Sequence, residues 1–131
     1  LDVVYTREQS NISIDQIYQM IIKYRPSTVL CESNMAWRVY YNTLKERIES
    51  SLYGMGVKDF AAQGNKESRI FHTAPIVRDR FHYLRSELRS KEYMEAMRDR
   101  HRYVQMVKDQ DDDFVDCESA AATAFKVNGL I

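Results

Sequence analysis

The chain has 131 residues, of which 44% are apolar and 29% are charged, a composition typical of one water-soluble globular domain covering residues 1–131. Four glycines and two prolines are too few for a fibrous or low-complexity chain. No apolar run approaches the roughly 20 residues of a membrane helix, and the start at Leu1 lacks the basic flank of a signal peptide. The two cysteines, Cys31 and Cys117, cannot form a disulfide framework, so we expect a reducing compartment and interpret both as small core residues.

The formal net charge of zero conceals two segments of opposite sign. Residues 66–108 contain eleven basic and six acidic side chains, whereas residues 109–118 contain six acidic side chains and no basic one. A basic surface suits a polyanion such as nucleic acid, and clustered carboxylates suit a hard divalent cation. The charge pattern therefore favours a protein that handles nucleic acid and also holds Mg²⁺.

The first part of the chain predicts a strand, a helix and a second strand. Residues 3–6 are β-branched or aromatic, which indicates a strand. A capping-box pattern at Ser13 starts an amphipathic helix, and Pro26 ends it. Residues 28–31 then predict a short buried strand, with Glu32 at its end.

A second helix is predicted to begin at Asn34 and to end at Gly54 and Gly56. Its apolar stripe consists of Trp37, Tyr40, Leu44, Ile48 and Leu52. Residues 57–61 follow as a third strand. Strands that alternate with helices predict an α/β layer with parallel pairing.

The second half of the chain has weaker signals. The pattern predicts a short helix over residues 65–73, closed by Pro75, and a short strand over residues 80–84. Ser90 is the predicted cap of the next helix, and residues 103–107 are either a strand or a loop.

A run of three aspartates, residues 111–113, is predicted to start the last helix, which Gly129 stops. The predicted packing stripe of this helix consists of Phe114, Cys117, Ala121 and Phe125.

Two groups of carboxylates are candidate metal ligands. Glu32 follows a predicted buried strand, and open α/β sheets bind ligands at the carboxyl ends of their strands. The aspartates at 111–113, with Asp116, exceed what capping a helix needs. Their spacing lacks the alternating ligands and central glycine of a calcium loop, so Mg²⁺ or Mn²⁺ fits better. A surface glutamate and a solvated acidic cap are the alternative interpretations.

The basic segment offers candidate phosphate contacts. Its cations are Lys66, Arg69, Arg78, Arg80, Arg85, Arg89, Lys91, Arg98, Arg100 and Arg102. They are interleaved with the aromatic side chains of Phe81, Tyr83 and Tyr103, which favours contact with nucleic acid. Solvated helix faces with pairs such as Lys91 and Glu95 would explain the same residues.

Three motifs, taken together and in order, resemble a known family. Residues 31–34 (Cys-Glu-Ser-Asn) resemble the E-x-N signature of the nuclease domain of phage terminase large subunits. Residues 64–70 are similar to the N-K-E-x-R-I segment of that family, and residues 112–116 resemble its third acidic motif, H-D-D-x-x-D. The resemblance covers about residues 3–125.

This resemblance implies a ribonuclease-H-like fold, a mixed central sheet flanked by helices. It also implies an endonuclease that cuts concatemeric viral DNA by two-metal phosphodiester hydrolysis with Mg²⁺ or Mn²⁺. The implied partners are double-stranded DNA, the terminase ATPase domain, the portal and the small terminase subunit, in the cytoplasm of a bacterial host, with no membrane.

The resemblance also implies roles for individual residues. Glu32, Asp112 and Asp113 would be catalytic and, together with Asp116, would hold the metal. Lys66 and Arg69 would lie near this site and hold DNA phosphates. Arg78 and Arg80 extend the expected DNA-binding set.

Two departures from the family pattern affect what is expected of this chain. The family's first acidic ligand lies on an opening strand, and the resemblance places that strand upstream of Val3, so we expect an N-terminally truncated nuclease domain that binds metal weakly and cleaves poorly. Asp111 stands where many relatives carry His. The alternatives are a resolvase-like or transposase-like nuclease of the same fold, and a non-catalytic assembly or DNA-docking fragment.

Overall fold

A computed structural model gives the fold of most of the chain. The structure describes residues 1–6, 9–32, 38–51, 55–61 and 64–129. These residues contain five α-helices, two β-strands and one 3₁₀ turn, joined by irregular segments. The chain divides into two compact units. We call Thr6–Gln63 the sheet unit, and Leu1–Tyr5 together with Gly64–Ile131 the helical unit. The interpretation of residues 1–131 as one domain stays a prediction.

The sheet unit alternates helices and strands. Its elements are α1 (Ser10–Tyr24), β1 (Thr28–Glu32), α2 (Arg38–Ser51) and β2 (Gly56–Phe60). The two strands pair in parallel, with Val29 opposite Val57 and Glu32 opposite Phe60. The predicted α/β class and parallel pairing are confirmed. Some predictions for the second helix lie outside the described residues: its start at Asn34, its end at Gly54, and the stripe residues Trp37 and Leu52.

The core of the sheet unit is the apolar stripe of α1 packed against that of α2. Its buried members are Ile14, Tyr18, Ile21, Leu44 and Ile48. The half-buried side chains of Val29, Cys31 and Val57 pack against this cluster from the two strands. Burial of one helix face against the sheet therefore orients β1, and with it the strand end that carries Glu32.

The start of α1 differs from the predicted one, whereas its end agrees with the prediction. The helix begins three residues before Ser13, after Gln9, so the predicted capping box is wrong. The Ser13 hydroxyl lies 2.9 Å from the Tyr40 hydroxyl, a contact to α2 in place of a cap. At the other end Arg25 adopts φ 46°, and its backbone N–H donates to Ile21 at 2.8 Å. Pro26 follows, and the predicted stop is confirmed.

The helical unit contains three longer helices. They are α3 (Lys66–Arg80), α4 (Lys91–Arg102) and α5 (Asp113–Val127), with a 3₁₀ turn at Ser86–Leu88 between α3 and α4. The predicted cap of α4 is confirmed, because the Ser90 side chain accepts a hydrogen bond from the Tyr93 backbone N–H. The α5 helix packs against both α3 and α4.

Pro75 does not close α3, which continues to Arg80, so the predicted stop is wrong. The proline ring removes one backbone donor, that for the carbonyl of Phe71. Both residues are exposed, whereas Ile70 and Val77 are buried on the packed face of the helix. Burial of that face outweighs the loss of one hydrogen bond.

The two strands predicted in the helical unit and at the N-terminus do not form. Residues 80–84 contain the end of α3, where the Phe81 backbone N–H donates to Val77, and then an irregular segment. Residues 3–6 have no strand partner among the described residues; instead Val3 and Tyr5 pack on the core formed by α4 and α5. An alternating apolar pattern needs a neighbouring strand to form a ladder, and here helices cover it.

The packed face of α5 differs from the predicted stripe. Its buried residues are Phe114, Val115, Glu118, Ser119 and Ala122. Cys117 is exposed, so its assignment to the core is wrong, whereas Cys31 is half-buried against the core of the sheet unit. Neither cysteine is part of a disulfide. No helix in the described parts of the chain is both long enough and apolar enough to span a bilayer.

Candidate functional site

The N-terminal ends of α3 and α5 meet in the helical unit and bring opposite charges together. Asn65 caps α3, because its side chain accepts a hydrogen bond from the Ser68 backbone N–H at 3.2 Å. This cap places Lys66 and Arg69 in the first turn of α3. Asp112 directly precedes α5, and Asp116 lies in its first turn. Lys66 and Arg69 of α3 therefore face Asp112 and Asp116 at the start of α5.

Two cations and two carboxylates form one connected cluster. Lys66 Nζ lies 3.0 Å from Asp112 Oδ1 and 3.7 Å from Asp116 Oδ2. Arg69 Nη2 lies 2.9 Å from Asp116 Oδ1, and Arg69 Nη1 donates to the carbonyl of Gly64 at 3.0 Å. The Asp116 side chain is only 18% exposed, so water screens these contacts less than it screens surface pairs.

The electrostatics of Lys66 reflect this crowding of carboxylates. Burial alone would lower the pKa of Lys66, but the hydrogen bond to Asp112 and the charges of Asp112, Asp116 and Asp113 outweigh it, so the pKa is raised. Burial also raises the pKa of Tyr103, reinforced by the charges of Glu67 and Asp112. The neighbouring carboxylates therefore favour the charged form of Lys66.

The other predicted site residues lie in three further places. Glu32 ends β1 in the sheet unit and is half-buried. Asp113 is the first residue of α5 and is exposed. Arg78 and Arg80 lie in the last turn of α3, about 20 Å along the helix from Lys66 at 1.5 Å per residue. The structure thus joins Lys66 with Asp112, and the meeting of Glu32 with the aspartates stays a prediction.

The capacity for a metal ion rests on part of the predicted ligand set. Asp112 and Asp116 direct carboxylate oxygens at one cation, the ammonium group of Lys66. Oxygen ligands from two carboxylates are a common protein contribution to an Mg²⁺ site. Within the described residues of either unit, no three His, Cys, Asp or Glu side chains are arranged to hold one metal ion.

A second charged network, one turn further along α5, was missed by the sequence analysis. Glu118 is buried and accepts hydrogen bonds from the Tyr83 hydroxyl and from Arg100 Nε, the latter at 2.8 Å. Arg100 also stacks over the Tyr83 ring, 5.0 Å from its centroid. The sequence does contain one indication that Glu118 is buried. Glu118 lies four residues from both Phe114 and Ala122, so the three share one face of a helix.

This network makes the helical unit sensitive to alkaline pH. Burial, then the hydrogen bond to Glu118, raises the pKa of Tyr83 above its ordinary value of 10.0. Because the folded state holds this proton more tightly than the unfolded state, its stabilising effect is fully present below pH 10 and is lost as the pH rises above that value. We expect urea unfolding to show a progressive fall in stability above pH 10, with a shallower fall for Tyr83→Phe.

Tyr24→Phe, at an exposed tyrosine of the sheet unit, is the matched control for that measurement. An equally steep fall in the Tyr83→Phe protein would contradict the role of this hydroxyl.

Comparison with known proteins identifies a family for residues 4–82. The family model of the ribonuclease H-like domain of the bacteriophage T7 terminase matches residues 4–82. This range includes β1, Glu32, β2, Lys66 and Arg69, whereas the aspartates at 112–116 lie beyond it. No curated protein and no solved structure gives a significant match. The match spans more than half of the chain and confirms both the predicted terminase resemblance and the ribonuclease-H-like fold class. The chain therefore belongs to the family of ribonuclease H-like domains of the bacteriophage T7 terminase type, a family of nuclease domains.

Proposed function

We propose that this protein is a metal-dependent DNA endonuclease domain of a viral packaging terminase. It would cut concatemeric double-stranded DNA by two-metal phosphodiester hydrolysis, using Mg²⁺ or Mn²⁺, in the cytoplasm of a bacterial host. Its further partners would be the terminase ATPase domain, the portal and the small terminase subunit. Membership of the terminase family supports this proposal at the level of a nuclease-type domain.

The observation that carries the proposal is the convergence of Asp112 and Asp116 on one cation. Both carboxylates approach Lys66 Nζ, at 3.0 and 3.7 Å, from a single helix start. The free N–H groups at the start of α5 favour negative charge there, which lowers the cost of holding several aspartates together. A divalent cation would meet the same oxygen ligands that the ammonium group now meets.

The chain's own residues divide into ligands and phosphate contacts. Glu32, Asp112 and Asp113 would hold the metal ions, with Asp116 as a further ligand. The bound ions would supply an activated water and stabilise the leaving 3′ oxygen. Lys66 and Arg69 pair with the carboxylates of Asp112 and Asp116. If metal ions bound those carboxylates, the two cations would turn to phosphate oxygens of the DNA. Arg78 and Arg80 would contact the DNA backbone further along α3.

The test is nicking of supercoiled plasmid, a sensitive substrate because one cut relaxes the whole molecule. We expect weak nicking by the purified chain with Mn²⁺, in keeping with the poor cleavage expected from its sequence, and none with a chelator. Glu32→Ala and Asp113→Ala should each slow nicking by at least about 100-fold, because each removes a proposed metal ligand. Circular dichroism of each variant checks that its helices are retained.

Glu49→Ala is the matched control. Glu49 is an exposed acid of α2, and its partner, Lys45, is also exposed and lies 3.8 Å away. This variant should nick at the unmodified rate. If the chain binds plasmid but does not nick it, or if Glu32→Ala and Asp113→Ala nick as well as Glu49→Ala, the endonuclease assignment is wrong and a DNA-docking role takes its place.

A further inference from the structure

The ion pairs between the starts of α3 and α5 join four charges that compensate each other. Lys66 and Arg69 are each positive, and Asp112 and Asp116 are each negative. A divalent cation added to this group would bring two positive charges in excess, whereas DNA phosphates added alone would bring an excess of negative charge. Adding both restores the balance. The group therefore favours the binding of metal and DNA together over the binding of either alone.

Lys66 is the member of this group that a metal ion would have to displace. Its Nζ lies 3.0 Å from Asp112 Oδ1 and 3.7 Å from Asp116 Oδ2, so two carboxylates of α5 approach one ammonium group. A divalent cation on the same oxygens would repel that ammonium group at close range. Metal binding to Asp112 and Asp116 therefore includes the cost of moving Lys66 away, and its affinity is lower by that cost.

The contacts of the two cations distinguish one that can move from one that is held. Arg69 donates from Nη2 to Asp116 at 2.9 Å and from Nη1 to the carbonyl of Gly64 at 3.0 Å, and its side chain is 22% exposed. The Lys66 side chain is 40% exposed, and its contacts within the described residues are to the two carboxylates. Its flexible stem carries a point charge that needs no fixed geometry. Lys66 can therefore leave while Arg69 stays on Asp116.

A DNA phosphate provides the alternative partner that Lys66 needs. An ammonium group that leaves two carboxylates for water loses its charged partners, whereas a phosphate oxygen accepts a charge-assisted hydrogen bond from it. Lys66 begins α3 and is partly exposed, so a phosphate in solution has access to it. Metal ions alone offer no such partner. The displacement of Lys66 is therefore less costly when DNA is bound.

We propose that Lys66 makes metal binding at Asp112 and Asp116 depend on DNA. In the free chain its ammonium group takes the place of a divalent cation and lowers the affinity for one. When a DNA phosphate accepts the ammonium group, the two carboxylates become available to metal. This inference rests on the proposed function, because it concerns the same metal site, and it adds a regulatory role for Lys66. Metal is then bound tightly by chains that also hold DNA.

The first experiment titrates the whole chain with Mn²⁺ in the absence of DNA and measures free Mn²⁺ by its electron paramagnetic resonance signal. Lys66→Gln removes the charge and keeps a polar side chain at the start of α3. We expect this variant to bind Mn²⁺ roughly 5- to 150-fold more tightly than the unmodified chain, the usual range for coupling between two ligands. Circular dichroism checks that its helices are retained, and Lys66→Met replaces it if they are not.

Two further variants show whether the charge at this position is responsible. Lys45 is 39% exposed and pairs with Glu49 at 3.8 Å in the sheet unit, so Lys45→Gln removes an equally exposed, paired lysine away from the site. Lys66→Arg keeps the positive charge beside Asp112 and Asp116. Both variants should bind Mn²⁺ as weakly as the unmodified chain.

The second experiment measures the same coupling from the DNA side. Fluorescence anisotropy gives the affinity for a short blunt duplex with Mn²⁺ and with a chelator, and gel electrophoresis confirms that the duplex stays intact. Lys45→Gln shows the general effect of Mn²⁺ on DNA binding through screening. Relative to that control, the gain in duplex affinity from Mn²⁺ should be smaller in Lys66→Gln. The reduction should equal the factor found in the titration, because coupling between two ligands is reciprocal.

Mn²⁺ binding by Lys66→Gln that is no tighter than that of Lys45→Gln would overturn the proposal. Equally tight binding by Lys66→Arg and Lys66→Gln would also overturn it, because the charge would then play no part. An equal gain in duplex affinity from Mn²⁺ in Lys66→Gln and Lys45→Gln would show that DNA does not act through Lys66.

These failures are distinct from failure of the proposed function. Plasmid nicking that depends on Glu32 and Asp113, without any effect of Lys66→Gln on Mn²⁺ binding, would overturn this inference alone. Coupling between Mn²⁺ and DNA through Lys66, without any nicking, would support this inference and overturn the endonuclease assignment.

Discussion

Ile48→Ala should destabilise the sheet unit by about 4 kcal/mol, in the upper half of the range for deleting a buried isoleucine. Ile48 is 0% exposed and belongs to the cluster that joins α1 to α2. The substitution removes buried methyl and methylene groups and leaves a cavity that neighbours fixed by two helices and a sheet cannot fill. Urea unfolding gives the loss in free energy, and hydrogen exchange of α1 and α2 assigns it to this unit.

Val39→Ala on the same helix is the matched control. Val39 is 70% exposed, so its truncation should change stability by less than about 0.5 kcal/mol. A loss below about 1 kcal/mol for Ile48→Ala would mean that α2 does not pack against α1 as described. Because β1 packs against the same cluster, this packing also orients the strand that carries Glu32.

Glu118→Ala should destabilise the helical unit by about 3 kcal/mol, close to the cost of removing one partner of a buried ion pair. The substitution leaves Arg100, whose side chain is 27% exposed, without its carboxylate, and leaves the Tyr83 hydroxyl without its acceptor. Both groups lose water on folding and would regain no partner. Chemical unfolding, followed by hydrogen exchange of α4 and α5, measures the effect.

Glu118→Gln separates charge from hydrogen bonding in this network. The amide oxygen can still accept from Tyr83 and Arg100, so we expect a loss of about 1 kcal/mol, close to the worth of one hydrogen bond. Glu49→Ala, in the exposed pair with Lys45, should cost less than about 0.5 kcal/mol. Equal effects of Glu118→Ala and Glu49→Ala would show that Glu118 is not a buried partner of Arg100.

The elements that could be predicted are those whose signal is local. Three such signals act through neighbours a few residues away: the apolar period of α1 and α2, the proline after α1, and the cap of α4 at Ser90. The helices α1, α2 and α4 all form. The parallel pairing of β1 and β2 followed from the alternation of strands and helices. These features depend on backbone geometry that one segment can specify.

The elements that were wrong depend on distant partners. Residues 3–6 and 80–84 have strand-like side chains, but helices cover them and no strand lies beside them in the described part of the chain. Pro75 has the local effect of a helix breaker, yet burial of Ile70 and Val77 against α5 carries α3 past it. Packing energy, which sums over many contacts, exceeds the cost of one missing backbone hydrogen bond.

Part of the candidate site could be predicted from the sequence, and part depends on the tertiary structure. From the sequence alone, the residue types and motif spacing identified Glu32, Lys66, Arg69 and the aspartates of α5, because charge and chain position are properties of the residues themselves. Only the tertiary structure decided that Lys66 meets Asp112 and Asp116, and that Glu118, rather than Cys117, lies on the packed face of α5. A contact between residues 46 positions apart depends on how two helices pack, and that packing is set by the whole unit and by no single segment.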